Sequence, residues 1–259
     1  MQTVPPPALT GASFDYTRTE PCIIRETPEW AAVYKPPRMP TAPLREGETG
    51  NLVHWFLCTQ PGTTAAQVRG KKIIEAGLLH RLDTDTRGLV LFAKDQPAYD
   101  FLAAQQEAGR IRKTYHAFVS PHSREAVEQL AAALPYTVIS QFRNFGPGAK
   151  QTAAVFPHSR RYKENGRLYK TAIYCLSTAG KLTAVQCRLS RGYRHQVRVH
   201  LSSLSLPITG DPLYCRAQGD SVPQPVGLQL YAISLSFPDP EHPQQNIDVV
   251  LPPPDKMNP

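Results

Sequence analysis

"HRLDTDTRGLVLFAK", residues 80–94, joins two kinds of sequence that seldom touch. Its first half crowds His80, Arg81, Asp83, Asp85 and Arg87 into eight positions, and its second half, 88–94, is apolar on both faces. A short apolar run bounded by Gly and Lys-Asp reads as a buried central strand. A loop feeding such a strand can aim a side chain accurately, and chemistry tends to sit there. Asp83 has Arg81 two residues before it and Arg87 four after. A guanidinium within a few ångströms favours an ionised carboxylate by roughly 1–3 pKa units, which suits a nucleophile or proton acceptor. The same residues also suit an ion pair that only fixes the loop, with Asp85 or Thr86 as a turn or cap residue. Spacing alone leaves both readings open.

Working outward, residues 22–43 contain two apolar runs split by a turn at Thr27–Glu29, a hairpin ending in "KPP". "GNLVHWFLCTQ" (50–60) reads as a helix, and "DQPAYDFLAAQQEAGRI" (95–111) as one with an Asp cap, an early Pro and a late Gly. "KTYHAFVS" (113–120) alternates as a strand does, and "SREAVEQLAAALP" (123–135) is a capped helix stopped by Pro135. Between 136 and 190 come strand-like runs, "KTAIYCLST" and "LTAVQCRLS", with a polar, basic stretch at 143–167. "RHQVRVHLSSLSL" (194–206) looks helical, and "LQLYAISLSF" (228–237) is a last alternating strand. Strands outnumber helices without strict alternation, so the class is α+β with a mixed, largely antiparallel sheet. The organisation expected is a loose leader at 1–20, one catalytic-size domain at 21–252 and a disordered tail at 253–259.

The 259 residues carry a net charge of +8, an excess that favours a polyanionic partner such as nucleic acid. Five scattered cysteines lack metal-ligand spacing and read as buried thiols in a reducing cytoplasm. There is no secretory signal pattern and no apolar run of about 18 residues, so no membrane span is expected.

Two further groups stand out. In "RGYRHQVRVHLSSLSLPITGDPLY" (191–214), a helix would set Arg191, Arg194 and Arg198 along one stripe with His195 beside it. Such a stripe suits phosphates, and equally a solvated basic face. "TGDPLY" adds a turn that returns the chain to the sheet. Tyr115 follows Arg112 and Lys113, as an aromatic that stacks a base beside its phosphate does, although a strand tyrosine is commonly just half buried.

Taken in order, these stretches resemble the RluA-type family of pseudouridine synthases. "HRLDTDTRGLVLFAK" is similar to that family's catalytic loop and strand, and "RKTYHAFV" to its tyrosine strand. "GYRHQVRVHLSSLSLPITGDPLY" is similar to its basic helix and Gly-Asp turn, "AVYKPPRMPTAP" to its early Lys-Pro segment and "LQLYAISLSFPDP" to its closing strand. The likeness spans roughly residues 22–251. It implies an α+β core in two lobes with a cleft between them, acting as a monomer in the cytoplasm without metal or organic cofactor. The small RNA-binding module that precedes the catalytic part in many relatives is expected to be absent, since about twenty residues come first. The resemblance implies RNA, either tRNA or rRNA, as the partner.

Carried over residue by residue, Asp83 is the essential aspartate. Tyr115 stacks on the target base and helps to move its proton, and Arg81 enters the RNA where the nucleotide is flipped out. His80, Arg87, Lys113, Arg191, His195 and Arg198 complete the RNA-binding set. One departure stands out. The family pattern Gly-Arg-X-His-Gln reads here Gly192-Tyr193-Arg194-His195-Gln196, so Arg194 is assigned the ion pair with the aspartate from one position later.

Turning uridine into pseudouridine breaks the ribose–N1 bond and remakes it to C5 of the same base. That requires an ionised carboxylate at the sugar or base, a pocket that retains the uracil, and removal of the C5 proton. The nucleotide must first leave its stack, at a cost of a few kcal/mol. Two other classes remain: a non-catalytic RNA-binding or RNA-folding protein on the same scaffold, suggested by the missing arginine before Arg194, and a metal-dependent nuclease or hydrolase using His80, Asp83 and Asp85. Specificity is expected to lie in the basic stretch from Arg143 to Arg167.

Overall fold

A computed structural model of the chain describes residues 13–61, 64–180, 182–215 and 227–258. β1 (Cys22–Glu26) and β2 (Trp30–Lys35) form the expected antiparallel hairpin, closed where the Thr27 N–H bonds the Trp30 carbonyl at 2.9 Å. α1 (Leu52–Thr59) starts where Asn51 accepts the His54 N–H. β3 (Arg87–Ala93) is the apolar run after the charged loop, and all seven of its residues are buried. α2 (Gln96–Glu107) is capped by Asp95, β4 (Arg112–Val119) follows it, and α3 (Arg124–Ala133) is capped by Ser123.

Beyond α3 the chain departs from what its sequence suggests. The polar stretch at 143–167 is not simply a spacer: its first part is a hairpin of β5 (Tyr136–Phe145) and β6 (Gln151–Val155). After β7 (Tyr169–Ala179) and β8 (Leu182–Leu189) comes α4, which covers only Gln196–Ser203. His195, at its cap, takes the left-handed conformation with φ 56°, so the chain bends just before the helix. Arg191 and Arg194 therefore do not share a helical stripe with Arg198. β9 (Leu230–Pro238) and β10 (Asn246–Val250) close the sheet, the latter too polar to be read as a strand beforehand.

The strand order is β1-β2-β3-β9-β4-β8-β7-β5-β6, with β10 also paired to β9. Only β3 and β9 run parallel; every other pairing is antiparallel. β9 thus joins β1–β3 on one side to β4 and its neighbours on the other. Gly88 makes that junction possible. Its φ is +128° and a Cβ there would lie 2.2 Å from the Ala232 carbonyl oxygen, so no larger residue lets β3 approach β9.

Two apolar layers sandwich the sheet. One holds Val33, Phe92, Tyr115, Ala117 and Ile173 with side chains of α1, α3 and α4; the other holds Leu89, Leu91, Phe118 and Tyr231 with α2. The second layer also takes in the chain ends. Tyr16 is buried against Tyr231 with ring centres 5.0 Å apart, so the leader is anchored at that point, while residues 17–20 are exposed. The tail is likewise held: Asn258 N–H donates to Gln229 Oε1 at 2.9 Å and its carbonyl accepts from Gln229 Nε2 at 2.6 Å. Of the five cysteines only Cys187 is buried, and Cys58 is exposed, which corrects the expectation of buried thiols. Among the described residues, no helix is long and apolar enough to cross a membrane.

Two histidines inside these layers make stability depend on acid. His116 on β4 packs edge-on to Phe118, and neither ring nitrogen has a hydrogen-bond partner among the described residues. His200 on α4 is bonded to Ser140 and Thr171. Burial pushes both pKa values down to about 4. The unfolded chain takes up these protons near pH 6.5 while the folded chain does not until about 4. Their contribution is therefore fully present above about pH 6.5 and is lost as pH falls toward 4, by up to about 3 kcal/mol per group. Denaturant unfolding at pH 7.5 and pH 4.5 should show this fall. Equal stability at the two values would remove this account.

Candidate active site

The loop between residue 79 and β3 is held at the two positions that flank Asp83. Thr41 Oγ1 donates to the Leu82 carbonyl at 2.7 Å and accepts the Leu82 N–H at 3.2 Å. Lys35, at the end of β2 and fully buried, donates to the carbonyls of Pro36, Met39 and Thr84 at 2.8, 2.8 and 2.9 Å. Burial lowers its pKa to about 7, against the charges of Asp85 and Asp83 that hold it up. Asp83 is thus fixed through backbone on both sides, as an accurately placed catalytic group requires. Thr41→Val keeps the shape but strands both polar groups of Leu82. We expect a loss of about 1–3 kcal/mol in denaturant unfolding, and an unchanged midpoint would show that Leu82 finds other partners.

The guanidinium that meets this carboxylate is Arg198, not Arg194. Arg198 Nη1 donates to Asp83 Oδ2 at 3.1 Å, while its Nε and Nη2 make a bidentate pair with Asp211 at 2.7 and 2.8 Å. Asp211 is buried and also accepts the N–H groups of Leu213 and Tyr214, which fixes the turn around it. Arg194 instead donates to the carbonyls of Ala149 and Lys150, tying the β5–β6 hairpin to the start of α4. The left-handed His195 between them is what turns the two arginines apart.

His195 does enter the site, with Nε2 3.9 Å from Asp83 Oδ2. Its Nδ1 lies 2.8 Å from the Tyr214 hydroxyl, which accepts the Thr152 N–H at 2.8 Å. Nε2 accepts from Arg194 Nε at 3.5 Å, so the ring is held between Tyr214 and Arg194 beside Asp83. Burial lowers the pKa of His195, the negative charge of Asp83 opposes this, and the cations Arg198 and Arg194 add to it. Among the described residues the Asp83 side chain, a quarter exposed, has polar contacts only at Oδ2, so Oδ1 stays open to a substrate.

Tyr115 on β4 is buried, and its hydroxyl pKa is raised by burial and then by the charge of Asp83, so it stays protonated. Lys113, two residues earlier, is buried with Nζ 3.4 Å from the Ser190 carbonyl and its pKa lowered by burial to about 8, so it offers RNA no exposed cation, contrary to expectation. Arg81 keeps an exposed side chain, 3.6 Å from Glu75.

Three expected RNA contacts fall elsewhere. Arg87 is buried on the opposite face of the sheet, donating to the Tyr16 carbonyl and lying over the Tyr231 ring, because β3 carries it inward. The ring of His80 turns inward and accepts the Leu91 N–H at 3.3 Å; burial pushes its pKa well down. Arg191 is spent on the carbonyl of Glu107. His80, Asp83 and Asp85 do not converge, and no three His, Cys, Asp or Glu among the described residues are placed to share a metal. Lys35, Thr41, Asp211 and Tyr214 were missed as site residues. A lysine closing an apolar strand before two prolines was a usable signal for Lys35, since those prolines offer carbonyls and no N–H.

A family model described as RNA pseudouridylate synthase matches residues 29–203. Among curated proteins, an "Uncharacterized RNA pseudouridine synthase" of Chloroflexus aurantiacus is 32% identical over 180 residues, covering 70% of this chain and 50% of that protein. The ribosomal large subunit pseudouridine synthase D of Zymomonas mobilis is 29% identical over 196 residues, 76% of this chain and 56% of that one. This chain thus spans about half the length of these curated relatives. Among solved structures, human RNA pseudouridylate synthase domain containing 1 shares the fold, with TM-score 0.64 at 18% identity over 93% of this chain and 86% of that one.

Proposed function

The chain belongs to the RNA pseudouridylate synthase family, and from this premise we propose that it isomerises uridines in structured RNA, tRNA or rRNA, to pseudouridine. The observation that carries the reading is the state of Asp83: one oxygen held by Arg198, the other open, and both neighbouring residues pinned. That is a single accurately aimed carboxylate, which is what this rearrangement needs from a protein.

In this reading the target nucleotide is extruded into the space before Asp83. Asp83 Oδ1 meets the ribose or the base, and Arg198, balanced by Asp211, holds the carboxylate in place. The ring of Tyr115 stacks on the uracil and keeps it in the site after its bond to ribose is broken. Arg81, exposed at the rim, fills the vacated place in the RNA. His195, held between Tyr214 and Arg194 beside Asp83, is a positioning residue. The departure at Tyr193 does not deprive the carboxylate of its arginine, which weakens the case for a non-catalytic binder. We place the protein in the cytoplasm, acting as a monomer.

The test is direct. Purified protein is incubated with unmodified tRNA and rRNA transcripts carrying tritium at C5 of uridine, and release of label is followed. Release with pseudouridine in the product is expected; no release from either class would overturn the reading.

A further inference from the structure

Away from Asp83, a groove of about 660 Å³ opens between the β5–β6 hairpin and residues 160–169. Three aromatic rings meet in it. Phe142 and Tyr193 stack with centres 5.0 Å apart and planes 8° from parallel, and Tyr169 sets its edge to Tyr193 at 5.1 Å. His200 stacks on Phe142 at 5.0 Å, so a short column of rings reaches from the buried layer to the groove. Arg160, Arg161 and Lys163 line the same groove, are exposed and make no ion pair among the described residues.

The wall is built rather than incidental. Gln141 pins it by donating to the Lys163 carbonyl and accepting the Lys163 N–H at 3.1 Å. Gly166 lies against that same side chain, where a Cβ would come 2.3 Å from Gln141 Nε2. Since Gln141 is bonded in both directions it cannot yield, and only glycine fits there.

We infer that this groove is a second nucleotide site. It takes one unpaired nucleotide of the RNA, its base on the Tyr193 ring and its phosphates on Arg160, Arg161 and Lys163. The inference rests on RNA being the substrate. Aromatic rings and cations without an ion pair among the described residues, lining one groove, match a base and its phosphate; an acidic peptide would use the cations and leave the rings idle. The site is close to the chemistry along the chain, since Tyr193 is two residues from His195, within about 7 Å of backbone.

The probe is a fluorescein-labelled twelve-nucleotide oligouridine, compared with a blunt RNA duplex of equal length, both read by anisotropy across salt. Replacing Arg160 and Arg161 together by Gln should weaken both probes and lower the oligouridine salt slope by about 1.4. Tyr193→Leu should weaken oligouridine about tenfold or more and leave the duplex unchanged. If the arginine variant binds oligouridine within twofold of wild type, or polyglutamate displaces the probe as well as oligouridine does, the groove is not a nucleotide site. The tritium assay on wild type keeps the two ideas apart. Active wild type with unaffected groove variants sinks the groove alone, and silent wild type with weakened variants sinks the isomerase and leaves the groove standing.

Discussion

Asp83→Asn should form pseudouridine at least about a thousandfold more slowly than the wild-type protein. Asparagine keeps the volume and still offers Arg198 a carbonyl oxygen in place of Oδ2, so the loop pinned by Thr41 and Lys35 has no reason to move. What disappears is the negative charge at the open oxygen. Arg198 keeps its bidentate partner Asp211, and melting should stay close to wild type. RNA binding should persist as well, since an amide repels phosphate less than a carboxylate does. A variant with near wild-type turnover would remove Asp83 from the mechanism, whatever else it did.

Arg198→Ala should be the most damaging single change to the fold of the site. The guanidinium stands between two carboxylates, and Asp211 is completely enclosed. Removing one partner of a buried ionic group and leaving the other costs about 3–5 kcal/mol. In a chain of this size that is a fall in Tm of about 10 °C. Activity should vanish with it, because Asp83 loses the contact that orients it. A second variant separates the two effects. Arg198→Ala combined with Asp211→Asn should regain part of the stability, since no buried charge is then stranded, and none of the activity. Wild-type melting of the single variant would show that the pair contributes nothing to the fold.

Much of the first half of the chain was legible because its elements carry local punctuation. Asp95 and Ser123 are caps in sequence and in structure, and 88–94 is a buried strand because nothing polar interrupts it. The β5–β6 hairpin was not legible: its strands carry Arg143, Asn144 and Gln151 on a half-exposed sheet edge, where alternation is lost. In the site, Asp83 and Tyr115 could be picked out because each departs from its surroundings. The choice between Arg194 and Arg198 could not be made from spacing, because it turns on one backbone angle at His195. Arg87 misled for a related reason. Beside two aspartates it reads as surface, yet the strand's pleat carries it to the far side of the sheet.

The place of β9 has a consequence for when the site around Asp83 comes into being. Asp83 belongs to the part of the chain that pairs as β1–β3, and Arg198 to the part that pairs as β4–β8; the strand that unites them, 230–238, is made after both. Each half can fold from nearby contacts as it leaves the ribosome. The carboxylate meets its guanidinium only after the last long-range pairing is formed, which is also the slowest kind. A nascent chain stalled before residue 230 therefore already has both residues and has no active centre.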